Sequence, residues 1–297
     1  MKHDSGSRKV LMIGLDGLDP DFLERHRHEL PVLKSLMEEG ASGKLRSTIP
    51  PFSLAAWPTA MSGMNPARTG VTCLPEDDFN WSVPPLNSQS IKVPLIWDVV
   101  GLNDKKVAVV NVPLTYPPSP VNGFMISGFL TPNRATDFTW PPEFRLELSP
   151  GYETSFDFMQ HEVDREFFLK RLYLLTRKQF ENVEELIKKK PWDLFIYVVS
   201  GTDWIQHYFC KDQGLPGWEE SEAIMLDYFR EIDAFLGRLR RSVDSSTTIV
   251  ILSDHGFGKV PSSFVYLNHW LKEKNYLTFR GSLSASVKNY LSRHLRS

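Results

Sequence analysis

Asp254 and His255 stand side by side in the stretch SDHGFG, Ser253 to Gly258, directly after the apolar run TTIVI. Carboxylate and imidazole are both metal ligands, and the glycines that follow let the backbone turn sharply. The run itself, residues 247–251, reads as a fully buried strand. In open α/β sheets, ligands collect beyond the carboxyl ends of the strands. Taken alone, the pair fits a turn as well as a site, because Asp, His and Gly are common turn residues.

Two more strand ends repeat the pattern. The run VLMIGL, Val10 to Leu15, reads as a central parallel strand and ends at Asp16-Gly17. Asp16 could cap the next helix, but Asp19, immediately before Pro20, suits that role better and frees Asp16. The run DLFIYVVS, Asp193 to Ser200, leads into Asp203 and His207 within DWIQH. Their i, i+4 spacing places both on one face of a helix, as two ligands of one metal require. A helix-start Asp with a His packed beside Trp204 or Phe209 is the alternative there.

Ser53 lies in PPFSLAAWPTAM, where the preceding prolines disfavour helix and the following residues favour it, with Pro58 expected in a first turn. A serine at a helix N-terminus is an N-cap or, where the helix dipole holds a phosphoryl group, a nucleophile. Local sequence leaves both open. With Ser53 added, N and O donors from three strand ends and a fourth edge suit Zn²⁺ or Mn²⁺. Two such ions about 4 Å apart can support an in-line phosphoryl transfer.

The elements that must position these residues alternate strand and helix. Helical patterns are read at 31–40, 91–100, 165–190 and 225–241, and a further strand at 106–112. The order predicts an α/β fold, a mostly parallel central sheet with helices on both faces. Residues 74–139 are rich in Pro, Asn, Ser and Trp, and loops of this length are usually functional when ordered. They are read as loop-rich cap segments over the strand ends. One catalytic domain is expected over 1–297, with a loop-rich insertion at about 74–160.

The chain of 297 residues is 41% hydrophobic, and its 34 Lys and Arg against 36 Asp and Glu give a formal net charge of −2. That balance calls for neither a nucleic-acid polymer nor an anionic membrane as partner. No apolar run approaches the roughly 18 residues of a membrane span. The polar start, MKHDSGSRK, does not read as a signal peptide. Cys73 and Cys210 form no CxxC motif and are expected as free thiols, so a cytoplasmic location is expected.

In order along the chain, GLDGLDP, PPFSLAAWPTAMSGMNPARTG, SGTDWIQH and SDHGFG together resemble the type I phosphodiesterase/nucleotide pyrophosphatase family of the alkaline phosphatase superfamily. The resemblance implies an alkaline phosphatase-like fold and two divalent ions, Zn²⁺ first and Mn²⁺ second. It implies one ion among Asp16, Ser53, Asp254 and His255, and the other on Asp203 and His207. The family nucleophile, Thr or Ser, lies ten residues before the glycine of a TG or SG step, and counting back from Gly63 reaches Ser53.

The implied activity is that of a phosphoric diester hydrolase working through a covalent phospho-serine on a small-molecule phosphodiester or nucleotide, with a possible phosphomonoesterase side activity. Two departures stand out. Thr69-Gly70 replaces the family's His-Gly, and only His269 and His294 follow SDHGFG, where relatives supply a further histidine to the second metal. Neither sits at a glycine-flanked strand end, so a shortened C-terminus is expected. The alternative expectation is a catalytically impaired relative that binds a nucleotide or phosphorylated partner.

Overall fold

β-branched and aliphatic runs bounded by glycine and proline make the strands, and the longer 3.6-period segments make the helices. The computed structural model describes residues 8–72, 86–156, 164–259, 263 and 265–278. Its strands are β1 (Val10–Leu15), β2 (Val107–Val112), β3 (Gly123–Ser127), β4 (Thr139–Trp140), β5 (Leu194–Val199) and β6 (Thr248–Leu252). Its α-helices are α1 (Pro20–His26), α2 (Pro31–Glu39), α3 (Ser53–Ser62), α4 (Pro66–Thr69), α5 (Ile96–Gly101), α6 (Arg165–Lys189), α7 (Gly201–Phe209), α8 (Trp218–Ser242) and α9 (Leu267–Glu273).

The strands form one six-stranded sheet in the order β4-β3-β2-β5-β1-β6. All pairings are parallel except β3 with β4. Because successive strand residues point to opposite faces, Leu11, Ile13 and Leu15 enter one core with Phe195, Tyr197 and Val199. Leu194, Ile196 and Val198 enter another with Val107 and Val109. Residues of α1, α2, α6, α7 and α8 cover the first face. Trp57 and Met61 of α3 and Trp97 of α5 cover the second. Helices therefore flank a mostly parallel sheet, and β1, β2 and β5 run largely apolar because both their faces are buried.

Several expectations need correction. The run TTIVI reads as fully buried, yet among the described residues β6 is the last strand of the sheet and its residues are half-buried or exposed. An edge strand pairs on one side only, and composition does not reveal which strand lies last. The stretch 74–160, read as a loop-rich insertion, contributes β2, β3 and β4 to the central sheet. The helix read at 91–100 starts at Ile96, after Pro94, and that read at 225–241 starts earlier, at Trp218. Pro58 lies in the interior of α3 rather than its first turn.

Asp19 caps α1 as read, accepting from the N–H groups of Asp21 and Phe22. Cys210 is a buried free thiol, while Cys73 and His294 lie outside the described residues. The chain divides into units 1–259 and 260–297. In the second, α9 carries the exposed His269. Among the described residues no helix is long and apolar enough to cross a membrane.

Candidate active site

The carboxyl ends of β1, β5 and β6, three neighbouring strands, deliver the acidic residues to one sheet edge, and α3 brings a serine to it. Asp16 follows β1 directly, Asp254 and His255 follow β6, and Ser53 is the first residue of α3. Ser53 Oγ donates to Asp16 Oδ1 at 3.0 Å and lies 3.0 Å from His255 Nε2. The imidazole Nε2 is 3.5 Å from both Asp16 Oδ1 and Asp254 Oδ2. Ligand atoms of Asp16, Asp254 and His255 all fall within 4.8 Å of one another.

Asp203 and His207 sit on α7, one turn apart, with Nε2 and Oδ2 separated by 3.4 Å. Gly17 lies between them and the first group. Its φ is +64°, and a Cβ there would stand 2.9 Å from Asp203 Oδ1 and 3.2 Å from the His255 ring. Only glycine meets both demands at no cost. All six residues singled out in the sequence thus gather at one edge.

The electrostatics reflect how closely the acids are crowded. Burial first, then the negative charge of Asp254, pushes the Asp16 carboxyl well above the ordinary carboxylate range. Burial likewise raises Asp254 to about 7. Asp203 is raised to about 8 by burial and by Asp16. His207 is pushed down by burial and then by His255. Buried like charges held this close favour a cation among them.

The hydrogen bonds point the same way. Asp254 Oδ2 and Asp203 Oδ1 are buried and, among the described residues, meet no hydrogen-bond donor. His255 Nδ1 lies 2.8 Å from the Gly256 carbonyl, so the proton belongs on Nδ1 and Nε2 presents a lone pair. That lone pair faces two carboxylates and a hydroxyl. Such a donor set fits a divalent ion, with the Nδ1–carbonyl bond fixing the imidazole tautomer and ring orientation.

A further layer, not legible in the sequence, holds the cluster. Trp57 is fully buried and its indole N–H donates to Asp16 Oδ2 at 3.1 Å. It lies one turn beyond Ser53 on α3, so a single helix face grips both oxygens of Asp16; the i, i+4 spacing was the available signal. Gly14 makes room, since a Cβ there would lie 2.2 Å from the indole. Thr202 Oγ1 donates to the Asp16 carbonyl at 2.6 Å, and Gln206 Nε2 to that of Gly17 at 2.7 Å. The Gly17 N–H donates to Asp254 Oδ1, and Ser47 Oγ to the Asp254 carbonyl.

A family model described as type I phosphodiesterase/nucleotide pyrophosphatase matches residues 10–295. The chain belongs to that family. Among solved structures, phosphonoacetate hydrolase from Sinorhizobium meliloti 1021 in complex with phosphonoformate is similar at 20% identity and TM-score 0.61. It covers 91% of this chain and 62% of the other. The same enzyme with phosphonoacetate gives 19% and 0.60. Murine ectonucleotide pyrophosphatase/phosphodiesterase 5 gives 13% and 0.56, over 84% of this chain and 57% of that one. At these identities the likeness is one of fold, and this family member spans about 62% of the length of the hydrolase structures. No curated protein matches it.

Open space lies beside the cluster. A cleft of about 480 Å³ is lined by Ser53, Asp203, His207 and His255 together with apolar side chains.

Proposed function

We propose that the chain is a metal-dependent phosphoric diester hydrolase that acts on small phosphodiesters or nucleotides through Ser53. The observation that carries this reading is the Ser53 hydroxyl, set between the Asp16 carboxylate and the His255 ring at 3.0 Å from each. A serine hydroxyl is a weak nucleophile until its proton is drawn off, and Asp16 accepts that hydrogen bond. Ser53 also opens α3, whose N-cap residue Phe52 supplies no side-chain hydrogen bond. The positive end of that helix is thereby left to an anion such as a phosphoryl group.

In the proposed reaction Ser53 Oγ attacks phosphorus in line with the departing ester oxygen. The Oγ–P bond forms as the ester P–O bond breaks, and the alcohol or phosphate leaves with a proton. Water then attacks the phospho-serine, releases the phosphomonoester and returns the hydroxyl. Asp16, Ser53, Asp254 and His255 would hold one divalent ion, and Asp203 and His207 a second, Zn²⁺ first and Mn²⁺ as the alternative. Such ions neutralise phosphoryl oxygens and act as Lewis acids. Trp57 and Thr202 hold Asp16 in place for Ser53, and the Nδ1–carbonyl bond keeps the His255 lone pair turned inward.

The test is hydrolysis of bis-p-nitrophenyl phosphate against p-nitrophenyl phosphate, with Zn²⁺ or Mn²⁺ added. Diester cleavage is expected to exceed monoester cleavage and to fall on the order of a thousandfold or more in Ser53→Ala, the scale of losing a catalytic nucleophile. Turnover retained in that folded variant would remove Ser53 from the mechanism.

A further inference from the structure

A second cavity lies apart from the catalytic cleft, and none of the six clustered polar residues lines it. It encloses about 280 Å³, near the lower end for a small-molecule pocket. Phe138, Tyr152, Phe156 and Phe167 give it aromatic walls, and Glu153 and Arg171 give it charge. Phe167, in the first turn of α6, keeps 55% of its surface exposed. Phe156 also meets Trp204 edge-on, at 5.4 Å and 82°, and Trp204 lines the catalytic cleft. The two spaces therefore share a wall without sharing their chemistry.

The walls are held by bonds that involve no ligand. Three side chains of α6 grip the strap 149–154. Asn182 Oδ1 accepts from the Ser149 N–H at 2.9 Å, and Lys178 Nζ donates to the Pro150 carbonyl at 2.7 Å. Gln179 Nε2 donates to the carbonyls of Glu153 and Thr154. The Tyr152 hydroxyl donates to Asn111 Oδ1 at 2.9 Å. Thr131, which also lines the cavity, donates its N–H and its hydroxyl to the Gly128 carbonyl. A pocket fixed in this way loses little further freedom when it is filled.

The charged pair indicates what would fill it. Arg171 Nη2 donates to Glu153 Oε2 at 2.6 Å, and the guanidinium carbon lies 5.8 Å from the centre of the Phe156 ring. That bond uses one of five guanidinium N–H groups and one of two carboxylate oxygens. As an ion pair near the surface it adds little stability. It does hold a strong donor beside a strong acceptor, next to aromatic faces. A cyclic lactam, with N–H beside C=O on one ring edge, has the matching order. Its carbonyl accepts from the guanidinium and its N–H donates to the carboxylate, both charge-assisted. Its flat ring takes the aromatic walls. A plain hydrocarbon would strip water from the pair and return no partner.

We infer that this cavity is a second ligand site, built for a small planar heteroaromatic lactam such as a pyridone or quinolone ring. The site stands independently of the hydrolase reading, because it uses none of the residues on which that reading rests.

The experiment is a calorimetric titration of 2-quinolone and of N-methyl-2-quinolone into the full chain. The methyl group keeps the ring and deletes the N–H. 2-Quinolone is expected to bind at least about tenfold more tightly, the scale of losing a hydrogen bond to a charged group. Glu153→Leu removes the acceptor from an exposed position and should abolish that preference. Phe167→Ala should weaken both ligands several-fold through lost stacking. Phe257→Ala, which alters the catalytic cleft alone, should change neither. Absence of binding, equal affinity for the two quinolones, or a preference that survives Glu153→Leu overturns the inference. So does binding that is lost in Phe257→Ala and kept in Phe167→Ala, which would put the ring in the catalytic cleft.

Discussion

The two halves of the acidic cluster share one sheet edge and are held in different ways. In the half around Ser53, the side chains come from the ends of β1 and β6 and the start of α3, and cross-links tie them. Ser53 and Trp57 take one oxygen each of Asp16, Gly17 N–H takes one of Asp254, and Thr202 and Ser47 pin the two backbones. In the other half, Asp203 and His207 rise from one helix, which sets their spacing without help. Asp203 Oδ1 is buried with no hydrogen bond, and the His207 side chain is 48% exposed. Groups brought from distant parts of the chain need a scaffold of hydrogen bonds. Groups one helical turn apart get theirs from the backbone, with the Phe257 ring set edge-on to the His207 imidazole.

The sharpest way to break this comparison is to remove one carboxylate from each half. Asp254→Asn is expected to lower metal affinity on the order of a hundredfold or more, beyond the usual effect of losing a residue that only hydrogen-bonds to a ligand. Asp203→Asn should weaken the second ion more than the first. Metal content after dialysis against graded chelator measures both. Equal loss of both ions from Asp203→Asn would mean that the halves act as one site and that the division drawn here is wrong.

A smaller effect is expected from Trp57→Phe, which keeps a ring against Gly14 and deletes the indole N–H. Asp16 Oδ2 then loses its donor in a fully buried place, at a cost of about 1–3 kcal/mol in stability. Metal affinity and diester turnover should drop about 10–100-fold, the range for losing a hydrogen bond to a metal-binding side chain. If chemical denaturation shows the stability loss while metal content and turnover hold, the indole only packs and the scaffold argument fails at its most buried member.

The division between cross-linked and helix-borne groups also marks what was legible in the chain. The Asp203–His207 pair could be read from spacing alone, since five consecutive residues determine it. Asp16 could be read because Asp19 already satisfied the helix start, and the structure shows that cap. The strands β1, β2 and β5 could be read because they are buried on both faces and so carry unbroken apolar runs. The cross-links could not, because Thr202 reaches Asp16 across 186 positions of sequence and Ser47 reaches Asp254 across 207. Trp57 hid behind its own hydrophobicity: an aromatic at a helical apolar position reads as core, which it is, and nothing local reveals its N–H. β6 departs from what its run suggests for the complementary reason. TTIVI has the composition of a central strand, and edge position is a property of the sheet rather than of the run.

The smallest expected effect concerns pH and needs no mutation. Asp203 titrates at about 8, raised by burial and then by the Asp16 charge, and Asp254 at about 7, raised by burial. In the unfolded chain both revert to about 3.9. Folding therefore favours the protonated acids, and that contribution is complete below about pH 4 and lost as pH rises through 7 to 8. Chelator-stripped protein should melt several degrees lower at pH 8.5 than at pH 6. Zn²⁺ competes with those protons, so adding it should raise the melting temperature more at pH 8.5 than at pH 6. In stripped Asp203→Asn protein the pH gap should narrow, because one of the groups no longer titrates. A stripped protein whose melting temperature ignores pH across this range would show that the acids are not crowded in solution as they are at this sheet edge, and the comparison between the two halves would lose its electrostatic basis.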